Sequence, residues 1–216
     1  MELSEEGKIF ITSLEGICLN LYLDSVNVRT IAIGATVSEL PNIAELPWTY
    51  SITMKEAFEL LDKSLGKYVR AINNALKVNI KQHQFDSLVS ICYNIGTGGA
   101  TGSTFMKRIN AGSPAGRALT GFVEVDDFVS ELDRTSEVDS YEEAVEEYSF
   151  AGGGTVADAI MMWKQPKEII GRRKKEARLY TTGYYGDGKA LVFPTSNTTH
   201  RPLYGKGKMI VVEEYL

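Results

Sequence analysis

The 216-residue chain has two cysteines and two histidines. Cys18 and Cys92 stand among apolar neighbours at no metal-ligand spacing, so they read as buried free thiols rather than ligands or a disulfide framework. His83 and His200 are isolated in the sequence, which leaves no metal site to expect. Nothing resembles a phosphate-binding glycine loop, a Ser–His–Asp set or a Cys–His pair, so no cofactor and no nucleophilic triad is expected. No run approaches the roughly 18 apolar residues of a membrane span. The opening "MELSEEGKIF" carries acid where a secretion signal has base, and no apolar run comes after it. The expectation is therefore a product made in the cytoplasm without a signal peptide, with no stable membrane insertion. The net charge of −5 gives no global reason to expect a nucleic-acid partner.

What is present suits one sizeable domain with an annex: 44% of the residues are apolar, enough for a real core. Charge is placed unevenly. Met1–Gly112 holds 10 basic and 11 acidic residues, Ser113–Ile160 holds 2 and 12, and Met161–Leu216 holds 11 and 5. A neutral body, an acidic middle and a basic end fit an inserted segment better than three domains. We divide the chain into a body over 1–183, carrying an acidic insertion at 113–159, and a Tyr/Gly-rich β extension at 184–216.

The periodicity predicts a helix from Leu3 to about Glu15, ended by Gly16. "LNLYLD" and "RTIAIGA" read as the two strands of a hairpin, with Asn27 able to take positive φ in the turn between them. Thr53 and Glu56 have the spacing of a capping box. They open a long helix to about Ala75, whose stripe of Ala57, Leu60, Leu61, Leu65, Tyr68, Val69 and Ile72 suits a core or interlobe helix. Lys81–Ile95 reads as a buried helix ended by Gly96, with "TGGATG" as a loop after it. Ser103 is placed to cap a short helix to about Asn110. Weak helices are expected at 121–132 and 141–148, a break at 151–154, and a helix from Thr155 that contains Trp163. "KEIIGRRKKEARLYTTG" reads as a helix closed by Gly183, with Pro166 in its first turn. "GDGKALVF" and "GKGKMIVV" read as two short strands that form a hairpin. The sum is an α+β chain, mostly helical, with a small sheet near its start.

Three polar residues in the opening stretch ask for an explanation. Eight residues separate Glu15 from Asp24, and five separate Asp24 from Thr30. Glycoside cleavage needs a proton for the leaving oxygen and a water or nucleophile on the opposite face of the sugar, work that two carboxyl groups in unlike environments can share. Glu15, at a helix C-terminus among Leu14, Ile17 and Leu19, is in a setting that favours the protonated form. Asp24, in a wetter turn, is in one that favours the ionised form. Thr30 on the returning strand is placed to hold a water beside it. Each residue has an ordinary explanation as well: a surface Glu near a helix end, a turn Asp, a strand Thr. The spacing does not choose between these.

Four ordered blocks add to this reading. They are "EG" at Glu15 with "YLD" at Tyr22–Asp24 and "TIAIG" at Thr30–Gly34; "QFDSLVSICYNIG" at Gln84–Gly96; "STFMKRINAG" at Ser103–Gly112; and Trp163 with "RRKKEARLYTTG" at Arg172–Gly183. Together they resemble the phage-type lysozymes, glycoside hydrolase family 24. The resemblance implies a lysozyme-like fold, with a small N-terminal hairpin lobe and a larger helical lobe on either side of a cleft. It also implies a muramidase that hydrolyses the β-1,4 bond between N-acetylmuramic acid and N-acetylglucosamine with inversion. In that scheme Glu15 is the general acid, Asp24 the base or water-positioner and Thr30 its helper. The chain departs from the family pattern at Asn27 and Ala32, where the family prefers glycine, and at Ala35, where it commonly has histidine.

Bacterial peptidoglycan is the partner this implies, reached from the cytoplasm after a holin-type release or carried in the virion, by a protein read as a monomer. The acidic insertion reads as a solvated segment that lies away from an anionic substrate. The insertion and the aromatic tail are also the segments that would meet a virion or lysis-system partner. The Arg172–Lys175 run reads as a solvated face with one or two structural arginines. Two other functions fit the same residues: a lytic transglycosylase that uses the same acid without water, and a non-catalytic wall-binding or virion protein that keeps the fold.

Overall fold

Helix α1 (Glu5–Glu15) starts where Ser4 accepts a hydrogen bond from the Gly7 N–H. It stops at Gly16, whose φ of 70° breaks the helical path. Strands β1 (Cys18–Leu23) and β2 (Arg29–Ala32) come next as an antiparallel pair, with Tyr22 opposite Thr30 and an irregularity between Cys18 and Tyr22. Helices α2 (Met54–Ala75), α3 (Gln82–Gly102) and α4 (Thr104–Asn110) succeed them. Then come α5 (Val156–Met161), α6 (Ile170–Thr182), and the antiparallel pair β3 (Lys189–Val192) and β4 (Lys208–Val211). The computed structural model describes residues 1–116 and 154–216. The helices expected at 121–132 and 141–148, and the acidic charge around them, lie outside the described residues, as does most of the 151–154 break. The two ends of that segment meet: Val156 N–H donates to Pro114 O and Ala157 N–H to Ala115 O, both at 3.0 Å.

Helix α2 is the shared wall of two apolar clusters. Ala57 and Leu60, near its start, pack with Leu21, Ile31, Ala32, Ala35, Ile43 and Ile52 under the hairpin. Leu61, Leu65, Val69 and Ile72, further along, pack into the main core with α3, α4, α5 and α6. One amphipathic stripe thus serves both lobes, the use expected of it. Its start is held by the expected reciprocal cap between Thr53 and Glu56. The Thr53 backbone N–H and hydroxyl hold the Glu56 carboxyl below its ordinary range.

Helix α3 runs through the main core, with Phe85, Leu88, Val89, Ile91 and Cys92 fully buried. Its Asp86 is buried too. It accepts from Ser4 N–H (3.2 Å), Ser4 Oγ (2.6 Å), Gln82 Nε2 (2.8 Å) and Tyr185 Oη (2.6 Å), which ties both the N-terminus and the tail to this helix. Where the sequence suggested a loop after Gly96, the helix resumes. Gly96 alone leaves the helical region (φ 82°, ψ 160°), and residues 97–102 continue. Glycine is a poor helix former, by about 1 kcal/mol against alanine. Here tertiary packing overrides that: Ala100 is fully buried, and a Cβ on Gly99 would come within 3.3 Å of Ile95 and Trp163. Trp163 itself lies beyond the helix predicted to hold it. Helix α5 stops at Met161, and the indole crosses over to Gly99.

Ser103 caps α4 as predicted, accepting from Met106 N–H at 3.0 Å and donating to Ala100 O at 2.7 Å. Because this hydroxyl is buried and serves two backbone groups, Ser103→Ala is expected to cost about 1–2 kcal/mol, read as a lower urea midpoint at unchanged slope. Both cysteines are free and buried. Burial pushes each thiol up to about 12. The folded protein should therefore resist alkylation at pH 8–9, where the unfolded chain reacts readily. The fold favours the protonated thiols. Their contribution is complete below the unfolded thiol pKa near 9 and should fade as the pH rises from there toward 12. Comparing iodoacetamide uptake with and without urea checks the first point.

The tail forms the predicted hairpin, with Lys189 opposite Val211 and Val192 opposite Lys208. It packs on the body: Ala190 and Val212 are buried in the main core cluster.

Candidate active site

Glu15 is the last residue of α1, and the backbone on its C-terminal side is fixed in two ways. Gly16 has φ 70°, and a Cβ there would sit 2.6 Å from the Phe193 ring, so the position excludes a side chain both conformationally and sterically. Ile17 then bonds both ways to β3, its N–H donating to Leu191 O and its O accepting from Phe193 N–H, each at 2.8 Å. The chain leaves the helix at a set angle, and the Glu15 side chain stays partly open, 23% exposed.

The Glu15 carboxylate is gripped by Arg172. Nη1 of Arg172 lies 2.6 Å from Glu15 Oε1, Nε donates to Glu176 Oε1 at 3.0 Å, and Nη2 donates to the Ser90 carbonyl at 3.3 Å. The Arg172 side chain is only 10% exposed. Burial by itself would lower its pKa, but the Glu15 and Glu176 carboxylates outweigh that and hold it above its ordinary value. Beneath it, Glu176 and Arg173 are fully buried. Glu176 accepts from Ser90 Oγ at 2.7 Å, its Oε2 lies 2.7 Å from Arg173 Nη1, and Arg173 also donates to Asn94 Oδ1. The Arg173–Glu176 approach is a charge contact rather than an aligned hydrogen bond. Burial lowers the pKa of Arg173, with Glu176 opposing.

Asp24 sits at the end of β1, in the turn. Its Oδ1 accepts from the N–H groups of Val26 (3.0 Å) and Val28 (2.8 Å), an Asx turn that fixes the carboxylate plane. Among the described residues none donates to Oδ2. Thr30, buried on β2, donates its hydroxyl proton to Val28 O at 3.1 Å. Val28 thus joins the two predicted residues, one through its N–H and the other through its carbonyl. Glu15 lies near two tyrosines, Tyr22 of β1, which stands opposite Thr30, and Tyr93 of α3. Burial raises the Tyr22 hydroxyl pKa, with the nearby Cys18 and Glu15 adding to it. Burial also raises that of Tyr93, with Glu15 adding. Tyr93 comes from α3 and donates to the Ile33 carbonyl at the foot of the hairpin, so it bridges the lobes. Among the described residues no group of three His, Cys, Asp or Glu side chains is placed to hold a metal ion.

Known proteins share both the sequence and this architecture. The model of the family described as phage lysozyme matches residues 12–127, more than half of the sequence. The chain belongs to the phage lysozyme family. By family it is a lysozyme-type glycoside hydrolase. It is 33% identical over 117 residues to an endolysin of Bacillus phage PZA, a match that covers 53% of this chain and 43% of that protein. It is 33% identical over 110 residues to the endolysin of Salmonella phage P22, covering 51% and 74%. Among solved structures, an endolysin from Escherichia coli O157:H7 phage FAHEc1 superposes with a TM-score of 0.62 at 26% identity, over 87% of this chain and 98% of that one. The mixture of helices and small antiparallel sheets expected from the sequence is thus the fold of this family.

The departures from the family pattern acquire a physical meaning in this lysozyme-family chain. Asn27 (φ 65°) and Ala32 (φ 61°) stand where the family prefers glycine, and both adopt the left-handed conformation that glycine would take freely. The chain keeps the backbone and bears the strain, about 1–2 kcal/mol at Ala32. Ala35 is buried and exchanges two 2.9 Å backbone bonds with Ile31, which leaves its position inside the small core.

Arg172 is the residue that sequence reasoning missed. The Arg172–Lys175 run was read as a solvated face with one or two structural arginines, and Arg172 and Arg173 are interior, but the meeting of Arg172 with Glu15 was not foreseen. One signal was present: Glu176 stands four residues after Arg172 and three after Arg173, a spacing at which charges on one helix pair. The setting foreseen for Glu15 was incomplete for the same reason. It is not purely apolar, because a guanidinium touches its carboxylate.

Proposed function

We propose that the protein cleaves the β-1,4 bond between N-acetylmuramic acid and N-acetylglucosamine in bacterial peptidoglycan by hydrolysis with inversion. Glu15 serves as general acid and Asp24 as the base that activates water, with Thr30 in support. The observation that carries this reading is the arrangement around Glu15: a partly open carboxyl at a helix end whose Oε1 is fixed by a buried arginine. The other oxygen is left to give a proton to the glycosidic oxygen. As the proton leaves, negative charge develops on a group already facing Arg172, so the guanidinium stabilises the transition state more than the protonated ground state. On the far side of the sugar, Asp24 Oδ2 takes a proton from the water that attacks the anomeric carbon. The Asx turn supports this by orienting the carboxylate through Oδ1 only. Thr30 reinforces the same turn through Val28. An inverting pair needs about 6.5–9.5 Å between carboxyl groups, room for the water.

The wall is the site of action under this reading, reached by holin-type release from the cytoplasm or by delivery with a virion. Among the described residues no helix is long and apolar enough to cross a membrane. The test is the product. Purified murein digested by the protein should yield fragments with reducing muramic ends, and proton NMR of the fresh product should show the α anomer. Fragments lighter by one water, carrying an anhydro end, would make it a transglycosylase. No fragments at all would leave a binding protein on a lysozyme fold.

A further inference from the structure

The chain beyond α6 returns to the catalytic hairpin. Residues 194–203 form a loop closed on itself. Ser196 N–H donates to Arg201 O and His200 N–H to Ser196 O, both at 2.9 Å, and Leu203 N–H donates to Pro194 O at 2.8 Å. Ser196 Oγ accepts from the N–H groups of Thr198 (3.3 Å) and Thr199 (3.1 Å). The loop holds His200 at φ 54°, a left-handed conformation that residues with a side chain seldom adopt.

The two residues so presented meet the turn that carries Asp24. Leu23 N–H donates to His200 O at 2.7 Å. Arg201 Nη1 donates to the backbone carbonyl of Asp24, with Leu23 O at 3.4 Å, and Nη2 donates to Asn27 Oδ1. The imidazole of His200 stacks on Trp48, ring centres 3.9 Å apart and planes 4° from parallel. The Arg29 guanidinium lies 4.0 Å from the centre of the same Trp48 ring. Arg29 also donates to the Ile43, Ala44 and Leu46 carbonyls at 2.8–3.0 Å, so the stack is anchored to the small lobe.

We propose that Arg201 is a positioning residue for the reaction: with the His200 loop it clamps the Asp24 turn, so that Oδ2 keeps one orientation toward the water it must activate. This rests on the muramidase reading above. The turn needs such support. Ser25, Val26, Asn27 and Val28 are exposed, and a two-stranded hairpin is marginal in water on its own. The chemistry of the contact suits the role. Arg201 bonds the backbone carbonyl of Asp24 and not its carboxylate, so it steadies the base without occupying the oxygen that must accept a proton. The tail would then be part of the catalytic lobe, linked across 177 positions of sequence.

The test compares full-length Arg201→Ala and Arg201→Lys with wild type on soluble peptidoglycan oligosaccharides, and measures amide hydrogen exchange in each. Arg201→Ala should lower kcat about 10- to 100-fold with KM nearly unchanged, the size expected from a small misplacement of a reacting group. Exchange should quicken at the Val26 and Val28 amides, which bond Asp24 Oδ1, and stay as in wild type in α2 and α3. Arg201→Lys, still able to donate to a carbonyl, should recover part of the rate. Wild-type kcat in Arg201→Ala overturns the proposal. So does exchange that quickens equally across the whole molecule, which would mark Arg201 as an ordinary stabilising residue. Failure of the muramidase reading looks different: Glu15→Gln and Asp24→Ala would then cleave like wild type, and the exchange contrast at Val26 and Val28 would still decide the clamp.

Discussion

Glu15→Gln should lower peptidoglycan cleavage about a thousandfold, within the range that a positioned general acid contributes, while the protein stays folded. The substitution is close to isosteric. The amide oxygen of glutamine can still accept from Arg172 Nη1, now 2.6 Å from Glu15 Oε1, so the grip on the side chain survives. What is lost is the proton and the charge that forms when it leaves. The buried arginine then has nothing to stabilise in the transition state. Turbidity clearing of a murein suspension, with circular dichroism as a check on folding, gives the answer. Clearing at the wild-type rate by a folded Glu15→Gln protein would remove Glu15 from the chemistry. A rate near zero for wild type as well would leave the lysozyme fold without its activity.

The largest effect on stability is expected at Glu176, beneath the site. This carboxylate is fully buried between Arg172, Arg173 and Ser90. Glu176→Ala would strand the fully buried Arg173 guanidinium without a counter-charge, and breaking such a pair costs about 3–5 kcal/mol. That is a large part of the roughly 5–15 kcal/mol that typically holds a domain together. Glu176→Gln can keep the Ser90 and Arg172 hydrogen bonds at Oε1, but it sets an amide NH2 where Oε2 now faces Arg173 Nη1 at 2.7 Å, so it should destabilise as well. Both variants should also lose cleavage in excess of their loss of folded protein, since Arg172 reaches Glu15 from a position that Glu176 sets through the 3.0 Å bond to Nε. Urea titrations followed by tryptophan fluorescence measure the first effect, and rates normalised to folded fraction the second. A Glu176→Ala protein as stable as wild type would mean that Arg173 finds water or another partner when its counter-charge is gone.

These expectations rest on contacts of two kinds, and they differ in how far the sequence announces them. The local ones are written in short windows. Ser4, Thr53, Ser103 and Thr155 each accept from an N–H three positions on, and Gly16 and Gly183 end helices with positive φ. The two hairpins were legible from alternation and turn residues. The left-handed Asn27 was legible from what asparagine tolerates. Glu15, Asp24 and Thr30 stood out as candidates because the helix end, the turn and the return strand all fall within one short stretch.

The misreadings came where a local rule met a distant partner. Four glycines after Ile95 argued for a loop, yet the helix continues past Gly96, with Ala100 buried and Trp163 packed close to Gly99. The basic run was read as a solvated face with one or two structural arginines, and two do turn inward, but nothing local said that one of them would meet Glu15.

By itself, then, the sequence determined most of the elements and their caps and named the polar residues proposed for catalysis, because those readings rest on interactions among residues a few positions apart. Only the tertiary structure decided what those polar residues touch. The Arg172–Glu15 pair spans 157 positions and the Arg201–Asp24 contact 177. Helical periodicity can say which way a side chain points, but not which distant segment the packing of the core will bring to meet it.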